Sequence, residues 1–181
     1  MKVRVINDEV WYGEGPCVSV SASDLEVLKA QALRNSRRRV RLCAHPNVDD
    51  PLHEMLIVHT RNTYVRPHKH LNRGESFHVI EGTADVIVFD DDGRVTEVVR
   101  IGESGSTHPF YYRAPGSTYH SLLIRSEVLV FHETTNGPFT TSDTVFAPWA
   151  PEESDQAGVR QFLERLTQES LRLLGPQDPL P

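Results

Sequence analysis

The sequence predicts an all-β core flanked by one helix at each end. Three observations carry that expectation. Short β-branched and aromatic segments separated by turn residues run from residue 39 to about 146, no helical crossover pattern interrupts them, and helical spacing reappears on both sides. Many short strands at regular intervals mean a small antiparallel barrel or sandwich. With 181 residues the chain suits one domain. Its parts are an N-terminal arm and helix (1–38), a β-barrel (39–150) and a C-terminal helix and tail (151–181).

Taken in order, the loose alternation of Val3, Val5 and Val10–Tyr12 suggests an edge strand or a dimer arm. Ser23 and Glu26 have capping-box spacing, and Leu25, Leu28, Ala32 and Leu33 recur at helical intervals, which predicts a helix over 24–37. The basic run Arg37–Arg39 then complements the negative end of that helix. Strands are expected at Met55–His59, Thr63–Pro67, Phe77–Glu81, Ala84–Phe89, Val95–Ile101, Phe110–Arg113, His120–Ile124 and Val128–Thr134. Gly82-Thr83 and Asp90–Gly93 supply tight turns between neighbouring strands. The acidic run before Gly93 lacks the alternating ligands of a calcium loop. Pro151, Glu152 and Glu153 open a second helix, Val159, Phe162, Leu163, Leu166 and Leu173 trace one face of it, and Gly175-Pro176 stops it.

Composition narrows the function classes. A net charge of −6 disfavours broad binding to nucleic acid or anionic membrane. Apolar runs such as Met55–Val58 and Val86–Phe89 are too short to cross a bilayer, and no apolar stretch follows Met1-Lys2 as a secretory signal requires. A cytoplasmic location is expected. Two cysteines, Cys17 and Cys43, build neither a disulfide framework nor a cysteine zinc site, and both are read as buried or half-buried thiols.

The chemistry concentrates in Pro67-His68-Lys69-His70-Leu71-Asn72-Arg73-Gly74-Glu75. Residues two apart on a strand share a face, so His68 and His70 present two imidazoles to one point. The turn at Gly74 returns Glu75 to the same point, and His120, opening a later strand, is the natural third imidazole. Three histidines and a carboxylate suit one divalent transition metal (iron, manganese, nickel, cobalt or zinc) and leave coordination positions for water or ligand. His-x-His alone arises by chance roughly 0.4 times in such a chain; with Glu75 and Gly82 at their spacing the figure falls to roughly 0.002.

That spacing is the first motif of the cupins: His-x-His, four residues, Glu, six residues, Gly. Pro115 to His120 has the interval that ends the second motif. Gly116 directly follows that proline where the motif's glycine falls one later, Ile124 replaces an asparagine, and Asn62 stands where a glycine opens motif one. The resemblance narrows further. Arg41–Cys43, His53–Ile57, Tyr64, Pro67–His70, Glu75–Gly82, Thr134–Phe139 and Phe146–Glu153 together resemble the WbuC family of cupin-fold metalloproteins, over roughly residues 37 to 153. This implies a cupin double-stranded β-helix and a setting in surface-polysaccharide synthesis, without naming a substrate.

Around the expected metal, Tyr64 and Arg66 share strand parity with His68 and are candidate ligand-binding residues, with an inward Arg66 suited to a carboxylate or phosphate. Tyr112 and His132 are further candidates; Tyr111 and Tyr119 either bind sugar faces or pack. His78 has the wrong parity and is expected to face outward. His45, His53, His59 and His108 lack ligand spacing and are read as loop or surface residues, and Trp149 as a seal on the barrel or a subunit interface. The expected function is a metal-dependent enzyme acting on a sugar or sugar nucleotide by isomerisation or epimerisation, using a spare inward His or Tyr as base. Iron-dependent oxygen cleavage and a non-catalytic sugar-binding module are the alternatives. Exposed sheet edges favour a homodimer.

Overall fold

The structure, a computed structural model, describes residues 1–114 and 116–175. The chain enters as an edge hairpin, β1 (Val3–Val5) and β2 (Val10–Gly13), followed by helix α1 (Ala22–Arg34). Ten strands follow: β3 (Arg39–Cys43), β4 (Leu52–Thr60), β5 (His68–His70), β6 (Glu75–Glu81), β7 (Thr83–Phe89), β8 (Val95–Gly102), β9 (Tyr111–Ala114), β10 (Tyr119–Ile124), β11 (Val128–Asn136) and β12 (Thr144–Phe146). Helix α2 (Gln156–Leu174) closes the fold. No described helix is long and apolar enough to cross a membrane.

The strands form two sheets, ordered β1-β2-β3-β4-β11-β6-β9 and β12-β5-β10-β7-β8. From β4 to β12 the chain passes back and forth between them, staying in one sheet only for the β7–β8 hairpin. That winding is a double-stranded β-helix, the cupin fold. Inward residues of both sheets meet in one core, with Met55, Phe77, Val79 and Phe131 from the larger sheet against Val86, Ile101 and Leu122 from the smaller. The alternate residues face outward and bury the helices. Val40, Leu42 and Val58 take Leu28 and Ala32 of α1, while Ile87, Phe89 and Leu123 take Phe162 and Leu166 of α2. Each fully buried leucine contributes about 2 kcal/mol.

Several expectations shift. The capping box lies two residues early: Ser21 accepts from Asp24 N–H and Asp24 reaches back to Ser21 N–H, whereas Glu26 pairs with Lys29. Leu33 is exposed. Helix α1 ends at Arg34, and of the arginines beyond it only Arg38 reaches back, donating to the Leu33 carbonyl at 3.4 Å; Arg37 and Arg39 pair instead with Glu9 and Glu153. Strand β3 was not expected, nor was β12. Thr63–Pro67 is not a strand: its ladder begins only at His68, because Asn62 takes a left-handed turn at φ 73° and Pro67 has no N–H to donate. Asp155 caps α2 by accepting from Gly158 N–H, which leaves Pro151–Glu153 in the preceding loop, and Leu173 is exposed. Pro115 and Pro176 lie outside the described residues. Cys43 is buried but Cys17 is exposed.

The lost motif glycines have a physical sequel. Asn62 and Ser117, at the two positions where the motifs carry glycine, keep positive φ (73° and 62°). The backbone path is retained without the residue that makes it easy. Gly82, the glycine that is present, has φ 86°, and a Cβ there would collide with the Val128 carbonyl and Ser126 Oγ.

Candidate metal centre

Strand pairing assembles the site. His68 is the register partner of His120 across β5 and β10, and His70, two residues on, shares its face. Glu75 opens β6 on the facing sheet, held by its pairing with Thr135 of β11. The nearest ligand atoms of the three imidazoles lie within 4.8 Å of one another. Glu75 Oε2 is 3.2 Å from His70 Nε2, and Oε1 is 2.5 Å from His120 Nε2.

Each imidazole is held from behind. His68 Nδ1 lies 2.8 Å from the Arg66 carbonyl, and His120 Nδ1 lies 3.0 Å from the Thr118 carbonyl. A carbonyl only accepts, so both Nδ1 atoms carry the proton and both Nε2 atoms, when neutral, present a lone pair. His70 Nδ1 meets the Thr144 hydroxyl at 3.3 Å. Thr144 is fixed in turn by the 3₁₀ turn before it, where Asp143 accepts from buried Arg73 at 2.9 Å.

Metal fit follows from two orphaned atoms. Glu75 Oε1 and His120 Nε2 are fully buried and, despite their proximity, lack hydrogen-bond geometry. Stranding two such atoms is expensive unless a third partner draws on both. A divalent cation between Nε2 of His68, His70 and His120 and the Glu75 carboxylate satisfies them. Burial pushes His68 down to about 4, so it stays neutral as a ligand must. Although burial alone would raise Glu75, the close approach and charge of His120 and His70 hold its carboxyl well below the usual range.

The ligands sit in a cavity of about 460 Å³, within the range that takes a small molecule. Most of its other chemistry was not expected. Along β4, His53, Met55, Ile57 and His59 line it, and along β3 so do Arg39, Arg41 and Cys43. His45 and His53 are buried and stack at 4.0 Å, and His59 is buried edge-on against Phe131. All three line the cavity rather than the surface, His45 from the loop after β3 and His53 and His59 from β4. Glu133 also lines the cavity. It opposes Phe77 across the ladder, one rung from Glu75, so the two carboxylates are diagonal neighbours at roughly 7–8 Å between Cα atoms. Burial, then the charge of Glu75, pushes Glu133 up to about 8.

The four ligand-binding candidates from the sequence go elsewhere. Tyr64 packs edge-on against Phe162 of α2 and donates to the Pro151 carbonyl at 2.9 Å, outside the barrel. The Arg66 guanidinium lies over the Phe146 ring, 4.0 Å from Glu152, and only its backbone serves the site. Tyr112 stacks on Phe77 within the core. His132 faces out of the sheet toward Glu54, because its parity is opposite to that of Phe131 and Glu133. Outward His78 lies beside Phe110, as its parity implied. Trp149 packs against Phe89, Tyr119 and Phe162, sealing α2 onto the smaller sheet. The parity of Phe131 in β11 was the signal that would have found Glu133.

Comparison with known proteins adds little beyond the fold. A family model described as a domain of unknown function (DUF6016) matches residues 20–101, less than half of the chain. No curated protein matches. Among solved structures, a protein from Shewanella oneidensis is similar at 9% identity and TM-score 0.48, covering 74% of this chain and 81% of its own. Oxalate decarboxylase from Bacillus subtilis is similar at 20% identity and TM-score 0.45, over 74% of this chain but only 35% of its own. The capsular polysaccharide assembling protein CapF from Staphylococcus aureus is similar at 17% identity and TM-score 0.46, over 60% and 29%. The chain thus spans about a third of the decarboxylase. The fold itself rests on the strand order above.

Proposed function

We propose that this chain is a metal-dependent cupin enzyme that isomerises or epimerises a small sugar-like molecule. One observation carries the reading: the four-ligand centre shares its cavity with a fifth acid–base group, Glu133, which forms no ion pair among the described residues. A divalent ion bound by His68, His70, Glu75 and His120 would polarise a carbonyl or hold vicinal hydroxyls.

The chain's own residues supply the rest. Isomerisation removes a proton from the carbon next to a carbonyl and returns one to a neighbouring atom, which a single group can do by accepting and then donating. Epimerisation needs a second donor, such as water, on the opposite face. In the metal-free protein burial and the charge of Glu75 push Glu133 up to about 8, so a proton on it is accessible near neutral pH, where an ordinary carboxylate stays ionised. It takes the role that the sequence left to a His or Tyr. The apolar walls formed by Met55, Phe77 and Phe131 limit water around it. The resemblance to the WbuC family supports a surface-polysaccharide setting. The homodimer stays a proposal too, supported by open sheet edges at β1, β8, β9 and β12.

The test is solvent-proton exchange. Metal-loaded protein is incubated in D₂O with a panel of aldoses, ketoses and keto-sugar nucleotides, and deuterium at the carbon next to the carbonyl is followed by NMR. Deuterium should enter at least one sugar and vanish with Glu133→Gln. Absence of exchange across the panel, or full exchange in Glu133→Gln, would overturn the reading.

A further inference from the structure

The cavity has a second end, built from groups that the metal centre does not use. On β3, Arg39, Arg41 and Cys43 point inward while Val40 and Leu42 pack under α1. Arg37 and Arg39 are committed to Glu9 and Glu153. Arg41 forms no ion pair or side-chain hydrogen bond among the described residues, and its exposed guanidinium stands at the cavity wall. Next to it lies a second uncommitted group. His59, on the neighbouring strand and two residues from Arg41's register partner Ile57, is 7% exposed, lines the same cavity, and has a buried Nδ1 with no partner.

We propose that Arg41 and His59 form an anion subsite that receives the carboxylate or phosphate of a ligand whose oxygen-bearing end reaches the metal centre. The proposal rests on the metal-cupin reading above and names its substrate class, an anionic sugar derivative.

Guanidinium recognises either anion through paired N–H donors. His59, in the tautomer protonated at Nδ1, adds a neutral donor, which satisfies the orphaned nitrogen. Burial and the Arg41 charge both hold His59 down, to about 4, so it donates without being an imidazolium.

Register sets the ligand's length. Arg41 lies in line with Ile57, Phe131 and Val79, three strand steps across the sheet, and Glu75 is two same-face rungs further along β6. That is on the order of 20 Å between Cα atoms on a flat sheet. The two ends lie several residues apart, so a ligand bridging them is longer than a two-carbon acid.

The experiment is calorimetric titration of metal-loaded protein with glucuronate, glucose 1-phosphate and neutral glucose, repeated on Arg41→Gln, Arg41→Lys and His59→Phe. Metal content is measured in every sample. At least one acid should bind, with glucose weaker by roughly tenfold or more, and Arg41→Gln should weaken the acid roughly 10- to 100-fold. Arg41→Lys should recover part of that loss, and His59→Phe should weaken acid more than glucose. Whichever acid binds tighter distinguishes carboxylate from phosphate. Metal-loaded protein that binds neither acid, that binds acid and glucose equally, or whose acid affinity survives Arg41→Gln overturns the subsite and leaves the metal centre standing. Protein that retains no metal would instead strike at the reading beneath it.

Discussion

Glu75 Oε1 stands 2.5 Å from His120 Nε2, yet the two buried atoms do not form a hydrogen bond. Around them every Nδ1 is anchored from behind, by the Arg66 carbonyl, the Thr118 carbonyl and the Thr144 hydroxyl. The two carbonyls therefore fix the tautomers of His68 and His120, and all three contacts fix ring directions. Preorganisation of this kind is what a tight metal centre needs, since ordering cost is met by folding rather than by binding.

Glu133 predicts a pH dependence. In metal-free protein its folded value of about 8 exceeds the unfolded carboxyl value of 4.5, so the folded state holds a proton that the unfolded chain has lost. Stability from this group is complete below about pH 4.5 and is lost as pH rises toward 8. Glu133→Gln removes the loss. Urea unfolding should find the variant more stable than wild type by ~2–4 kcal/mol at pH 9 and nearly equal at pH 4.5. A constant difference across that range would contradict the assignment.

Asp85 pins α2 to the smaller sheet. It is wholly buried, accepts from Arg100 Nε at 2.6 Å and from the other Arg100 nitrogen at 3.0 Å, and receives the Ser170 hydroxyl of α2 at 2.5 Å. Removing the carboxylate takes a wholly buried acceptor away from both the Arg100 guanidinium and the Ser170 hydroxyl. Asp85→Ala should lose about 3–5 kcal/mol and Ser170→Ala about 1 kcal/mol by denaturant melts. Near-neutral Asp85→Ala would show that the network contributes nothing.

The glycine positions make opposite predictions. Ser117 takes φ 62° where the family motif has glycine, so Ser117→Gly should stabilise by roughly 1 kcal/mol. Gly82→Ala should destabilise by 2 kcal/mol or more (order of magnitude), because a Cβ there meets the Val128 carbonyl. Thermal melts of the two variants should move in opposite directions.

How much of this was legible depends on what kind of signal each residue carries. Three of the four candidate metal ligands announce themselves because their spacing is local: His68 and His70 lie on β5, and Glu75 opens β6 after a single turn. The fold class was equally readable from strand-length periodicity. The far end of the cavity was not, because Arg41, His59 and Glu133 come from three strands that meet only through register. One unread strand, β3, left Arg39 assigned to the basic tail of a helix and Arg41 with no role. One misplaced strand, Thr63–Pro67, put Tyr64 and Arg66 inside the barrel; the break at Asn62 and Pro67 puts them outside it. His132 in place of Glu133 is a one-residue parity error, which on a strand exchanges the two faces.

The most direct test of the account is elemental analysis of purified protein beside a folded His68→Ala/His70→Ala variant. The account predicts close to one divalent transition-metal ion per chain in the wild type and almost none in the variant. A wild type that stays metal-free after reconstitution with iron, manganese, nickel, cobalt and zinc would contradict it.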